Sequence, residues 1–313
     1  MMSTQQAAVE RARASFLRAC WLDVAVRKPG NVSLVSPGHG MQASMFIASA
    51  QAAAGALFEP GTSVGARIEG AVAATWAVAG CNTNLGILLL CAPIALAMER
   101  HPGATTRAAL QAAVESVLAA LDIDDARAAY RAIARARPGG LGSAPAEDVR
   151  DVPSVDLRAA MALAAERDLI ARQYRDGFAD LFALAFEARV CGMACGEAPG
   201  GTEALPDAAT VASVQRLYLA WLSGFADSHI VRNHGEGVAQ TVMAAAQAWR
   251  ERERAGVVLD ADSGFAEWDL SLKAQRINPG TSADLTVAAL LLAGWIGPCA
   301  APAREAASGW HGS

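Results

Sequence analysis

Alanine-rich apolar segments of about 15 to 20 residues alternate along the chain with short breaks of Gly, Pro, Asn or Ser. Period-two alternation of β-branched and polar residues is essentially absent, so the pattern predicts an all-α fold without a sheet. A first helix is expected from about Thr4 to Arg27, with Phe16, Ala19, Cys20, Asp23 and Val24 along one side and Pro29–Gly30 as its stop. Further helices are expected near 42–57, 62–79, 84–99, 105–120, 123–136, 154–166, 167–190, 207–226, 237–254, 260–275 and 281–295. The most apolar runs, Ile87–Met98 and Leu285–Ile296, fall short of the roughly 20 residues that cross a bilayer. They read as buried core helices.

The breaks suggest one compact multi-helix domain over 1–313, with flexible loops at 137–154 and 196–206, where Gly and Pro concentrate. No fixed-period repeat points to a solenoid. With 53% hydrophobic and 18% charged residues the chain has ample core material. Its net charge of -5 and pI near 5.6 argue against nucleic acid or an anionic membrane as partner. No signal-peptide pattern opens the sequence, and the spacing of Cys20, Cys81, Cys91, Cys191, Cys195 and Cys299 matches neither a disulfide framework nor a metal knuckle. A reduced, cytoplasmic setting is expected. A homodimer is compatible with this composition, although no residue pattern specifies one.

Composition changes the picture most through what is scarce. Of 26 basic residues only two, Lys28 and Lys273, are lysine; the asparagines are Asn31, Asn82, Asn84, Asn233 and Asn278. All fall in four short windows: 28–33, 80–86, 227–235 and 273–284. Asparagine is also a turn and cap residue, so punctuation alone is one explanation. In Asn82-Thr83-Asn84 one residue would suffice to cap the apolar helix that follows, and three stand in a row. The same helix start offers free N–H groups to an anion. Before the last apolar helix, Asn278, Thr281 and Ser282 read either as a cap or as phosphate ligands, with Asp284 completing the cap or holding Mg²⁺.

The densest polar cluster runs from Asp227 to Gly235. His229 and His234 stand five apart, which is not the i, i+4 spacing of a helical zinc pair. Arg232, fixed in charge and able to bind in two places, suits a phosphate. Asp227 follows an aromatic helix, so partial burial would tune it for acid–base work; the bland alternative is a solvated helix end. Glu69, beside an apolar run, is either a salt-bridge partner for an arginine or a Mg²⁺ ligand.

Taken in chain order, Lys28 to Val32, His39 to Phe46, Arg67 to Glu69, Asn82 to Gly86, Asp227 to Gly235 and Pro279 to Leu285 resemble the triphosphoribosyl-dephospho-CoA synthase family, most weakly between about 100 and 205. The resemblance implies an all-helical transferase. It would move the triphosphoribosyl part of ATP to a ribose hydroxyl of dephospho-CoA and release adenine. Breaking the ribose–adenine bond develops oxocarbenium character, as in glycoside cleavage. Such a site needs Mg²⁺ and donors for the triphosphate, a proton for adenine, and a held acceptor hydroxyl. On this reading Asp227, Asp284 and His229 are the catalytic candidates, and Glu69, Asp227 and Asp284 the Mg²⁺ candidates. Lys28, Asn31, Asn82, Thr83, Asn84, Arg232, Asn278, Thr281 and Ser282 would bind ATP or another phosphoribosyl donor and the small-molecule acceptor. Asp227→Asn is expected to stop turnover without disturbing the fold.

Many family members have Asn-Thr-His and then a basic residue where this chain has Asn84 and Leu85, and His-Asp-Met where it has His39-Gly40-Met41. The version here resembles a branch found in archaea and methylotrophic bacteria. Two alternatives therefore stand beside the main reading: phosphoribosyl transfer in tetrahydromethanopterin-type cofactor biosynthesis, and a non-catalytic helical nucleotide-binding protein.

Overall fold

The structure is a computed structural model and describes residues 3–140, 147–187 and 205–296. Among these, fourteen α-helices and one 3-10 turn account for all regular structure, and 72% of the protein is helical with no strand. The helices are α1 (Thr4–Ala25), α2 (Ala43–Leu57), α3 (Val64–Ala79), α4 (Leu85–Arg100), α5 (Arg107–Ala119), α6 (Ile123–Ala136) and α7 (Leu157–Ala164). They continue with α8 (Leu169–Arg175), α9 (Ala179–Glu187), α10 (Ala208–Gly224), α11 (Ser228–His234), α12 (Glu236–Arg254), α13 (Ser263–Ala274) and α14 (Gly280–Ile296). Cys191, Cys195 and Cys299, and most of the loop expected at 196–206, lie outside the described residues, as does 141–146 within the other expected loop. No described helix is long and apolar enough to cross a membrane.

The two most apolar runs are the two buried helices. α4 and α14 are covered almost along their whole length and pack against each other, with α1 against both. α4 contains Pro93, which lacks the N–H that would bond Leu89 O. The buried Tyr174 hydroxyl takes that place, donating to Leu89 O at 2.6 Å. α3 is fixed to the far end of α4 by a buried ion pair between Arg67 and Glu99. Arg67 also donates to Leu57 O (2.8 Å) and Thr62 O (3.2 Å), and Glu99 accepts from Gly61 N (2.9 Å). The arginine of the Arg67–Glu69 window is thus a structural anchor.

A second, smaller apolar cluster lies beneath α10 to α13, built on Tyr218, Leu222, Ile230, Val242, Phe265 and Leu272. α10 and α14 contribute to both clusters, which joins them: Leu217 and Trp221 face the main core while Tyr218 and Leu222 face the other.

Two boundaries differ from the sequence expectation. The helix expected over 167–190 is broken into α8 and α9 at Gly177 and Phe178, both with left-handed φ (64° and 58°). Gln173 bridges the break, its Oε1 accepting from Leu181 N at 3.2 Å. The Asp227–Gly235 cluster, expected as a polar helix end, forms the short α11. Asp227 caps it, accepting from His229 N (2.9 Å) and Ile230 N (3.1 Å).

Candidate active site

Three of the polar windows are tied together by hydrogen bonds and the fourth by contact. In the first, Lys28 Nζ is wholly buried. It pairs with the Asp23 carboxylate (2.9 Å), donates to Asp23 O and donates to Asn31 Oδ1 (3.1 Å). Asn31 Nδ2 passes the chain on to Asn278 Oδ1 at 3.1 Å, joining the first window to the last. Gly30 makes this approach possible: with φ +82° its N–H donates to Asp269 Oδ1 (2.8 Å), and a Cβ there would stand 2.7 Å from Pro279 Cδ. Lys273 steadies the same loop from below, reaching Ser36 Oγ (2.6 Å) and Asp269 Oδ2 (3.0 Å).

Asp227 joins the third window to the last. Its Oδ1 caps α11, while Oδ2 accepts from both Ser282 N (2.7 Å) and Ser282 Oγ (2.8 Å). One carboxylate therefore caps two helices, and α14 receives its cap from another element instead of from Thr281 or Ser282. Thr281 Oγ1 accepts from His229 N (3.1 Å), so both residues hold α11.

The second window meets the last at Gly86. Its place in the first turn of α4 lies directly against Asp284: a Cβ at Gly86 would fall 2.0 Å from Asp284 Oδ2. Asn82 Oδ1 caps α4 by accepting from Leu85 N (3.1 Å), and Thr83 Oγ1 donates to Ser49 Oγ (2.7 Å). Asn84 makes no cap bond, and its buried Nδ2 has no protein partner. One asparagine caps, as helix formation requires. The other is left with an unused donor.

Asp284 is the focus of this assembly. Protein encloses its carboxyl, while the residue as a whole keeps partial solvent contact. Burial pushes its pKa well above the usual carboxylate range; Asp23 and Asp227 add repulsion, and Arg232 opposes the shift. His229 shifts the other way. Burial lowers its pKa, against the pull of Asp227, with Arg232, His39 and His234 assisting. Its Nδ1 lies 2.6 Å from where a Cβ at Gly280 would stand. His39 is held nearby with Nε2 2.8 Å from Gly30 O. Arg232 donates through Nη1 to Asp168 Oδ2 (2.6 Å) and keeps a buried Nε without a partner. Asp168 was not among the residues the sequence singled out; its only local signal is its place before an apolar run, where it caps α8.

The structure thus separates residues that hold the site from those that face it. Lys28, expected to bind phosphate, is wholly buried and taken up by an ion pair with Asp23 and hydrogen bonds to Asp23 O and Asn31 Oδ1. Asp227, expected as acid, base or metal ligand, has both oxygens filled by two donors each, which exhausts the lone pairs of a carboxylate. Glu69 is paired with Arg131, its two oxygens each 2.7 Å from the guanidinium, which is the salt bridge that was one of its two readings. Among the described residues no three His, Cys, Asp or Glu side chains gather as a metal site. Asp284, His229, Arg232 and Asn278 are the half-buried groups left to meet a ligand.

An all-helical scaffold that gathers an enclosed acid, a neutral-leaning histidine and a tethered arginine beside the start of α4 has the make-up of a group-transfer enzyme acting on an anionic substrate. The chain matches the family model of CitG, ATP:dephospho-CoA triphosphoribosyl transferase, over residues 9–297, and it belongs to that family. Among solved structures it is similar to a provisional triphosphoribosyl-dephospho-CoA synthase from Archaeoglobus fulgidus, at 22% identity and a TM-score of 0.59. The match covers 80% of this chain and 99% of that one, and at that identity it shows a shared fold. No curated protein matches the chain.

Proposed function

We propose that this transferase moves the triphosphoribosyl group of ATP to a ribose hydroxyl of dephospho-CoA at a site built around Asp284. Family membership over most of the chain supports the reaction. The single observation that supports its location is the enclosed Asp284 carboxyl set against the first turn of α4, with Asp227 and Arg232 near enough to act on its charge.

In the reaction the bond between the anomeric carbon and adenine breaks, its electron pair leaving with the base, and the acceptor oxygen bonds the carbon. Adenine gains a proton and the acceptor hydroxyl loses one. Asp284, whose proton is held more tightly because of burial, is the proton donor to departing adenine. His229, held neutral by burial, receives the acceptor's proton. Arg232 offers its free Nε, and the start of α4 its N–H groups beyond the one that Asn82 caps, to the triphosphate. Mg²⁺ enters with the triphosphate as part of the substrate. The setting is cytoplasmic, where both substrates are available.

The test is incubation of the purified chain with Mg²⁺-ATP and dephospho-CoA, and separately with phosphoribosyl pyrophosphate and pterin precursors. Adenine release that requires dephospho-CoA supports the proposal. Pyrophosphate release with a pterin, and no adenine, refutes it.

A further inference from the structure

We propose that Asp168 is a positioning residue, holding the Arg232 guanidinium in the orientation that receives the donor's phosphates; this rests on the function proposed above. Asp168 lies in the stretch of the chain that carries no polar window. Its two oxygens are divided between two tasks. Oδ1 caps α8, accepting from Ile170 N (2.9 Å) and Ala171 N (3.1 Å), which leaves Oδ2 for Arg232 Nη1 at 2.6 Å. The carboxylate cannot turn away from Arg232 without uncapping α8.

The clasp has a second point. Leu169 N donates to Ser228 Oγ (2.9 Å), so the start of α8 is fastened to the first residue of α11, the helix that carries Arg232. Next to it, Ile170 Cδ1 lies 2.7 Å from where a Cβ at Gly86 would stand, which sets the same turn against the start of α4. Arg232 is therefore gripped at Nη1, while its buried Nε has no partner. A guanidinium binds phosphate best through two parallel N–H groups, and fixing its plane in advance lowers the entropy lost on binding. An ordinary surface ion pair has no such consequence. This pair is about three-quarters covered, with side-chain exposures of 23% and 26%, and its charges act on both Asp284 and His229 or on the first alone.

The test uses the full chain with Asp168→Asn, Asp168→Glu, Arg232→Ala and the double variant Asp168→Asn/Arg232→Ala. Inorganic tripolyphosphate binding is measured by calorimetry, and kcat and KM for ATP by adenine release. Asp168→Asn retains an oxygen to cap α8; it is expected to weaken tripolyphosphate binding and raise KM about tenfold, with kcat within about twofold. Asp168→Glu should recover part of the loss. The double variant should bind no more weakly than Arg232→Ala alone, because Asp168 acts through Arg232. Wild-type binding by Asp168→Asn, or losses that add in the double variant, would overturn the positioning role alone. A wild-type chain that ignores tripolyphosphate would overturn this role together with the site proposed above.

Discussion

Asp227 and Ser282 are joined twice, backbone and side chain of the serine both donating to one carboxylate oxygen, while the other oxygen caps α11. The pair is the hinge pin of the site: it fixes the start of α11, which carries His229, to the start of α14, which carries Asp284. Asp227→Asn places an amide N–H against donors at one of these positions. We predict a loss of about 1–3 kcal/mol in urea unfolding together with the loss of turnover. The structure thus disagrees with the sequence expectation that this variant would spare the fold. Full activity at unchanged stability would show that the double cap is dispensable.

Gly86 is the second point of close approach. In Gly86→Ala the new methyl would meet Asp284 Oδ2 and Ile170 Cδ1, so Asp284 must move. Overpacking of this kind costs about 1–3 kcal/mol, and a displacement near 1 Å costs roughly 100-fold in rate. Thermal melting and adenine release measured on the same sample check it. A variant that melts lower yet turns over normally would mean that Asp284 need not occupy this position.

Burying Asp284 should oppose folding. Its folded pKa is raised above 3.8, so the native state holds the proton more tightly than the unfolded chain. The stability from that proton is complete below the unfolded pKa and is lost as pH rises towards the folded value. Asp284→Asn removes the titration. It is predicted to melt at least about 2 °C above wild type at neutral pH, with the difference shrinking as pH falls towards 4. A variant less stable than wild type at pH 7 would contradict the burial argument. His229 runs in the opposite sense, since its folded pKa is lowered: its stability contribution is present above 6.5 and lost as pH falls through the window beneath it.

Away from the site, Tyr174 replaces the hydrogen bond that Pro93 cannot make to Leu89 O. Tyr174→Phe leaves that carbonyl unsatisfied in the core, at a cost of about 1–3 kcal/mol. Adding Pro93→Ala supplies an N–H four residues on and should restore part of the loss. If the second change lowers stability further, the hydroxyl is not standing in for the missing amide.

Much of the fold was legible because helices announce themselves by apolar runs and by their stops. The starts of α2, α4, α6, α10 and α14 all lie within one residue of expectation. α11 was missed because it is only seven residues long and polar, with its stability supplied by Asp227 and by Thr281 from another element. The site was legible as a set of windows, since scarce asparagines and lysines fall where loops meet. The division of labour within the windows was not. Sequence cannot show that Lys28 spends its donors on Asp23 and Asn31, or that Arg131 occupies Glu69. Those facts depend on which helices become neighbours. Asp168 carried no signal at all beyond a cap, because its function depends on an arginine 64 positions away.

The central claim is that Asp284 delivers a proton to adenine where the start of α4 meets α14. Adenine release from ATP in the presence of dephospho-CoA, compared between wild type and Asp284→Asn, tests it most directly. The account predicts that wild type releases one adenine per acceptor consumed. The variant should be slower by at least about 100-fold while still binding tripolyphosphate. Turnover by Asp284→Asn at the wild-type rate would contradict it.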